Sequence, residues 1–355
     1  MEAASFTGLL SGFIAFVFLF FLKPLAVRID LLDRPDHRKR HSGAVPLVGG
    51  LSAFFGLCIA WLLAMPLSDG YGLFLVCASL LVLMGAVDDA CHLPPSFRLG
   101  TQVVLGAALT FGSGISLESF GNLFGFGGIE LGALGPFVTI AAIIGATNAF
   151  NMVDGIDGLS GSMSLIALLS LCFLFSGSGN FPLELVFSLA LAVALLPYLM
   201  ANLLIPPFKR KIFMGDAGAM FIGFAVVWLL VHGTHMEGRA FRPVTALWLI
   251  AIPLMDMVAI MVRRARKGQS VMKPDRNHLH HIFMRAGFSD REALLMITGI
   301  SFLFAAIGLL GEILLIPEWI MFAAFIGLFA LYDWALSHIW RLLVLFRRLF
   351  GASHR

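Results

Sequence analysis

Charge is what this sequence has least of. Only 13% of its 355 residues are Asp, Glu, Lys or Arg, against 59% hydrophobic ones, whereas soluble domains carry about 25% charged residues. That shortage excludes an ordinary soluble domain and leaves a polytopic membrane protein. Cysteine is scarce as well. Cys58, Cys77, Cys91 and Cys172 have no metal-ligand spacing, and three of them lie inside apolar runs, so packing accounts for them better than redox or metal chemistry. No internal repeat and no separate soluble domain is visible, so residues 1–355 read as a single transmembrane domain. The formal charge of +3 follows from membrane topology and an anionic leaflet, which implies no nucleic-acid partner.

What the chain has instead is apolar runs. Crossing the hydrocarbon takes about 20 such residues, and about eleven runs suffice, beginning near Phe6, Pro46, Tyr71, Arg98, Pro136, Leu159, Pro182, Asp216, Pro243, Leu294 and Pro317. The expected fold is all-α, a polytopic integral membrane protein with its active-site loops in the cytoplasm. The first run is too long and too weakly flanked by a cleavage site to be a removed signal peptide, and is expected to stay in the mature protein. With the N-terminus outside, the inner segments are Arg28 to Val45, Asp88 to Arg98, Asn151 to Gly158, Ile205 to Gly215, Arg263 to Glu292 and the tail from Arg341. Every one of the 24 lysines and arginines except Arg239 and Arg242 then lies inside or flanks the inner face, as the positive-inside rule requires. The inner loop Arg263 to Glu292 has room for a short helix, and the outer Gly- and Phe-rich stretch Ser116 to Gly135 for a small hairpin.

All the acidic motifs fall on that inner face. Asp88 and Asp89 end an apolar run, and adjacent like charges raise each other's cost of ionisation unless a cation or donor is near; a hydrated helix end is the plainer alternative. In Asn151-Met152-Val153-Asp154-Gly155-Ile156-Asp157-Gly158 the two acids are three apart, so they share a face if the helix continues, while the glycines permit a break and close ligand approach. Asp157 could instead cap the next helix. Asp216, in Phe213-Met214-Gly215-Asp216-Ala217-Gly218, starts a run among small residues, where a cap and a metal ligand are equally open until its acidic company is considered. Carboxylates at several helix ends point to a metal and phosphate site at the bilayer surface.

His278, His280 and His281 sit in a basic loop with Arg263, Arg264, Arg266, Lys267, Lys273 and Arg276. Three close histidines could bind zinc, but no cysteine or matched fourth ligand accompanies them, so phosphate binding is the better reading. The charged loop from Asp33 to His41, entering Val45-Pro46-Leu47-Val48-Gly49-Gly50, could grip a lipid phosphate or serve only as a topogenic flank. Asp256 is a buried acid that needs a partner and is given no chemistry.

Together, Asp88-Asp89, NMVDGIDGL, FMGDAG and HLHH resemble, in order and spacing, the cytoplasmic motifs of the polyprenyl-phosphate N-acetylhexosamine-1-phosphate transferase family. RKRHSGAVPLVGG, PVTALWLIAIPLMDMVAIM, RRARKG and HLHHIFMRAGF extend the likeness to nearly the whole chain, with HLHH where HIHH is expected as a mild apolar swap. The resemblance implies that an oxygen of undecaprenyl phosphate attacks the sugar-proximal phosphorus of UDP-N-acetylglucosamine at the cytoplasmic face of the bacterial inner membrane. Magnesium, or manganese in its place, is the implied cofactor, and a lipid-linked surface glycan such as O-antigen the implied product line. It also implies residue roles: Asp157 and Asp216 as metal ligands; Phe213 stacked on the uracil with Asn202 as a polar partner of the base; Arg98, Arg264, His280 and His281 on the substrate; and Asp88, Asp89, Asp154 and His278 in the catalytic set. Asp88 or Asp89 would orient the lipid phosphate, bind a proton or support the metal. A phosphomonoester with its second pKa near about 6 needs little help from a base, since charge neutralisation and alignment carry most of such a transfer. Another UDP-N-acetylhexosamine or a UDP-muramyl-pentapeptide is the alternative donor, and a homodimer is an admissible assembly. An ion-coupled secondary transporter is a remote alternative, because its sites tend toward the midplane.

Overall fold

A computed structural model describes residues 2–34, 43–68, 70–235, 238–270 and 278–338. The basic residues Arg38, Lys39, Arg40, Lys273 and Arg276, with His37, His41 and the tail from Arg341, lie outside the described residues. Within them the chain is all-α, apart from the two-residue strands β1 (Leu32–Asp33) and β2 (Val45–Pro46), which pair antiparallel across the first inner loop. The helices are α1 (Glu2–Arg28), α2 (Gly49–Ala64), α3 (Tyr71–Cys91), α4 (Pro95–Ser113), α5 (Gly135–Val153), α6 (Leu159–Ser178), α7 (Pro182–Asn202), α8 (Gly215–Thr234), α9 (Pro243–Leu249), α10 (Ala251–Arg266), α11 (Leu279–Arg285), α12 (Asp290–Ile313) and α13 (Glu318–Ser337). Prolines in the first turn open α4, α5, α7 and α9, where the missing N–H would have had no intrahelical partner anyway.

Each of the expected runs contains a helix, but the runs are not alike. Among the described residues eight helices are long and apolar enough to cross a membrane: α1, α3, α5 with the turn before it, α6, α7, α8, α12 and α13. The run from Pro243 is not one straight span, since α9 and α10 meet at an 84° bend. Pro253 weakens that turn, because it has no N–H for the carbonyl of Leu249 and crowds that carbonyl. Of the other two, α2 has only 16 residues, and the less apolar α4 carries Arg98 in its first turn. By length and composition alone, eight of the eleven expected runs qualify as spans among the described residues, or nine with the bent pair. The chain is a multi-pass membrane protein.

Packing follows the rules of a lipid solvent. On α1 the buried face is small (Ala4, Thr7, Gly8, Ser11, Gly12, Ala15), while Phe6, Leu9, Phe13 and Phe21 point outward. Close backbone approach replaces large-residue burial as the source of helix association in such a setting. At the centre is α8, apolar all round and buried from Ala217 to Thr234, packed on by α2, α3, α5, α6 and α7. Two glycines allow the closest of these contacts. A β-carbon on Gly50 would stand 1.9 Å from Cα of Gly218, and one on Gly85 would stand 2.4 Å from Cα of Ala217, so α2 and α3 meet the first turn of α8 backbone to backbone. That turn carries Asp216, and the fold thereby surrounds it with the other inner loops.

The two loop expectations hold. In the stretch Ser116 to Gly135, Ser119 bridges Glu130 antiparallel, and Phe120 N–H donates to the Ile129 carbonyl at 3.0 Å. The hairpin docks on the start of α13, where Asn122 N–H donates to Glu318 Oε2 at 3.2 Å. The inner loop holds the short helix α11.

Candidate active site

The end of α3 delivers two adjacent carboxylates to different tasks. Asp88, its side chain only 4% exposed, accepts from Leu93 N–H at 2.8 Å and from Nη1 of Arg98 at 2.8 Å. The same guanidinium nitrogen lies 3.5 Å from Oδ2 of Asp216, so Arg98 ties α3 to α8 through their acids. Asp89 instead turns both oxygens onto the helix start, accepting from the backbone N–H groups of Asp216 at 2.9 Å and Ala217 at 3.3 Å. It is an N-terminal cap supplied by another helix, satisfying orphan donors and the positive end of the α8 dipole. Proton handling and lipid-phosphate binding, expected of either acid, find Asp89 already engaged.

The turn between α5 and α6 carries the next pair. The helix stops at Val153, and Gly158 at φ 78° opens α6, so Asp154 and Asp157 do not share the face of a continuing helix. Burial, then the carboxylates of Asp216 and Asp157, push Asp154 up to about 7, which places all three acids in one field. Asp157 forms an ion pair with Nζ of Lys211. Asn202 spans the same region: its Oδ1 accepts from Gly158 N–H at 2.6 Å, and its Nδ2 donates to the Ile212 carbonyl at 3.0 Å. Asn202 is 2% exposed and ties the acidic turn to the stretch of chain before α8. Phe213 is half-buried, and its backbone is pinned by Pro46 and Gly49 at 3.0 and 2.9 Å.

The histidines close the site from the other side. His280, 3% exposed, lies over Gly155, where an added β-carbon would stand 2.1 Å from Nε2 of His280. Its ring is parallel to that of His278 at 5.7 Å and stands 4.2 Å from that of His281. Burial, then the neighbouring His281 and His278, lower His280 to about 3, so it is a neutral imidazole at physiological pH. Nδ1 of His278 is 2.8 Å from Oδ2 of Asp256, the partner that buried acid required. Arg264, in the last turn of α10, is 6% exposed.

Residues 71–234, from α3 to α8 and including every one of these acids except Asp256, match glycosyl transferase family 4. The undecaprenyl-phosphate α-N-acetylglucosaminyl 1-phosphate transferase of Yersinia pestis is 44% identical over 325 residues, 91% of this chain and 89% of its own. Proteins of the same name from Pasteurella multocida and Escherichia coli K12 are 44% and 42% identical, covering 94% of this chain in both cases and 94% and 92% of theirs. The chain belongs to this transferase family. The likeness runs well past the region of the carboxylates.

In a member of the undecaprenyl-phosphate α-N-acetylglucosaminyl 1-phosphate transferases the remaining question is which groups can reach a substrate. Exposure separates them: the side chain of Asp216 is 41% exposed and that of Asp157 28%, against 4% for Asp88. Among the described residues no group of three or more His, Cys, Asp or Glu converges to cage a metal, so the zinc alternative for the histidines has no site there. Partly exposed hard oxygens without soft ligands suit magnesium, which takes one or two carboxylates and fills its shell with phosphate and water. Asp157 and Asp216 fit such an ion. Lys211 was not legible as a site residue, since one lysine among Lys209, Arg210 and Lys211 looks like a topogenic flank; its nearness to the FMGDAG motif was the only signal. Tyr332, which donates to Asp256, lies 76 residues away and gave no signal.

Proposed function

We propose that the protein transfers N-acetylglucosamine 1-phosphate from UDP-N-acetylglucosamine to undecaprenyl phosphate at the cytoplasmic face of the bacterial inner membrane. The observation that carries this reading is the meeting of Asp88, Asp154, Asp157 and Asp216 with Arg98 around the first turn of the central helix, in a chain whose relatives bear that activity in their names. A lipid-phosphate oxygen forms a bond to the sugar-proximal phosphorus, and the bond from that phosphorus to the bridging oxygen breaks. UMP leaves with the electron pair, and the lipid keeps a diphosphate bridge.

Magnesium held by Asp157 and Asp216 would neutralise charge on the diphosphate. Arg98, anchored by Asp88, presents its guanidinium toward the same place, and Lys211 supplies a second cation beside Asp157. Helix α8 directs its N-terminal dipole at the site, with Asp89 screening part of it. The neutral His280 packs over Gly155 of the acidic turn, and His278, at the N-cap of α11, stacks parallel to it. Distribution of the basic residues supports the cytoplasmic side.

Purified protein with undecaprenyl phosphate, magnesium and a panel of UDP-sugars tests the reading. UMP should be the released nucleotide, with UDP-N-acetylglucosamine the best donor, and added UMP should regenerate the donor, because one phosphoanhydride replaces another. UDP as the main primary product would mean attack at the sugar carbon and would end the proposal; a preference for UDP-muramyl-pentapeptide would keep the chemistry and change the donor.

A further inference from the structure

Asp256 is a carboxylate where a carboxylate is costly. It lies within α10, 1% exposed, and a charge so buried persists only with partners. Three donors meet it. Oδ2 is 2.8 Å from Nδ1 of His278, while Oδ1 accepts from the Leu279 N–H at 3.1 Å and from the Tyr332 hydroxyl at 2.8 Å. These donors come from the start of α11 and from α13, a helix otherwise so little covered that only 17% of its membrane window is buried.

An ionised carboxylate accepts and never donates. Nδ1 of His278 must therefore carry a proton whether the ring is neutral or charged, and Nε2 is the nitrogen left for a ligand. The N-cap position of His278 and the bond from the next backbone N–H to the same carboxylate fix the ring's direction as well as its tautomer. His278 in turn lies parallel to His280, which covers Gly155 between Asp154 and Asp157, so its open nitrogen belongs one ring away from the acidic turn.

We infer that Asp256 and Tyr332 are a positioning pair that holds His278 with Nδ1–H toward Asp256, so that Nε2, once it too carries a proton, donates to the diphosphate of the donor substrate. The inference rests on the transferase reading above. It brings α10 and α13, neither of which contributes to the carboxylate cluster, into the transfer step. Outer partners of this kind typically alter activity about 10- to 100-fold when removed.

Two measurements test it. Nitrogen-15 spectra of ring-labelled histidines in the solubilised full-length protein, with His278 assigned through His278→Gln, read the tautomer without any turnover. Protonated Nδ1 with an unprotonated Nε2 in the neutral ring is expected; a neutral ring protonated at Nε2 would overturn the inference. In the UMP-release assay Asp256→Asn should lower kcat by about 10- to 100-fold with far less change in KM, because the amide can donate to Nδ1 and hold the wrong tautomer. Tyr332→Phe, which removes one hydroxyl and guards against a folding failure of the first variant, should lower kcat in the same direction by a smaller factor, whereas Cys172→Ala should not change it. Wild-type kcat in Tyr332→Phe and Asp256→Asn, or a fall in kcat with the His278 tautomer unchanged in Asp256→Asn, would also overturn it. If no UMP is released by the wild type, the transferase reading fails, and the spectra still decide the tautomer.

Discussion

Asp89 caps the helix start that carries Asp216, and the two acids should respond to the same substitution differently. Asp89→Asn keeps one acceptor for the α8 N-terminus but loses one of its two backbone bonds, so thermal denaturation should show a loss of about 1 kcal/mol, the usual worth of a cap. Asp216→Asn keeps shape at a partly exposed position; it should leave the melting temperature nearly unchanged and remove most UMP release with magnesium. Full turnover in Asp216→Asn would exclude it as an essential ligand. Asp154 adds a dependence on pH. Its folded pKa, about 7, lies above the ordinary carboxylate value, so its contribution to stability is complete at acid pH and is lost as pH rises through about 7. A divalent cation competes with that proton, and its binding adds stability only where the carboxylates can ionise. Magnesium should therefore raise the melting temperature more at about pH 8 than at about pH 6, and an equal rise at both would remove Asp154 from the cation's field. These acids were legible because their spacing and their place at the ends of apolar runs are local facts. The direction in which a side-chain amide points is not local, which is why the tie that Asn202 makes between two loops was not legible.

At the scale of elements, the site depends on how closely α2 and α3 approach α8. Gly85→Ala places a methyl group 2.4 Å from Cα of Ala217, with backbone rather than a mobile side chain in the way. Helix α3 must shift, and overpacking of this kind costs typically about 1–3 kcal/mol; the loss should appear in thermal denaturation, together with lower turnover because Asp88 and Asp89 move with the helix. The short helix α11 gives a test of opposite sign in pH. His280 has its pKa lowered to about 3 from the ordinary 6.5, so the unfolded chain binds more protons between those values and stability falls as pH falls through that window. Going from about pH 7 to about pH 5 should cost wild type about 2 kcal/mol more than His280→Gln, measured by thermal denaturation at both pH values. An equal acid sensitivity of the two proteins would show that His280 is not held neutral by burial. Long apolar helices were readable from the chain because lipid imposes length and composition on them. The break between α9 and α10 was readable only in part: Pro253 announces a weakened turn, but an 84° bend is set by what the two pieces pack against.

At the scale of the whole molecule, the expected orientation rests on the lysines and arginines. Of the 24 basic residues only Arg239 and Arg242 were assigned to the outer side, and Arg242 has a structural reason to be there. Its Nη1 and Nη2 donate to the carbonyls of Ile316 and Gly311 at 2.6 and 2.7 Å, and its Nε donates to Glu312 at 3.1 Å, so it caps the end of α12 rather than directing topology. Helix α4 leaves the acidic site at Arg98, and α5 returns to it at Val153; the hairpin around Phe126 joins their far ends. With 19 residues at about 1.5 Å per residue, α5 separates that hairpin from the site by about 28 Å, close to the thickness of a bilayer core. Phe126, 97% exposed, and Arg210, exposed in the loop before α8, are thus the markers of the two faces. In a Cys91→Ser background, which removes the one native cysteine classed as exposed, Phe126→Cys should react in intact cells with a thiol reagent that cannot cross the membrane. Arg210→Cys should react only after the membrane is permeabilised. Labelling of Arg210→Cys from outside, with Phe126→Cys protected, would reverse the orientation and put the carboxylates on the side of the membrane where no UDP-sugar is made.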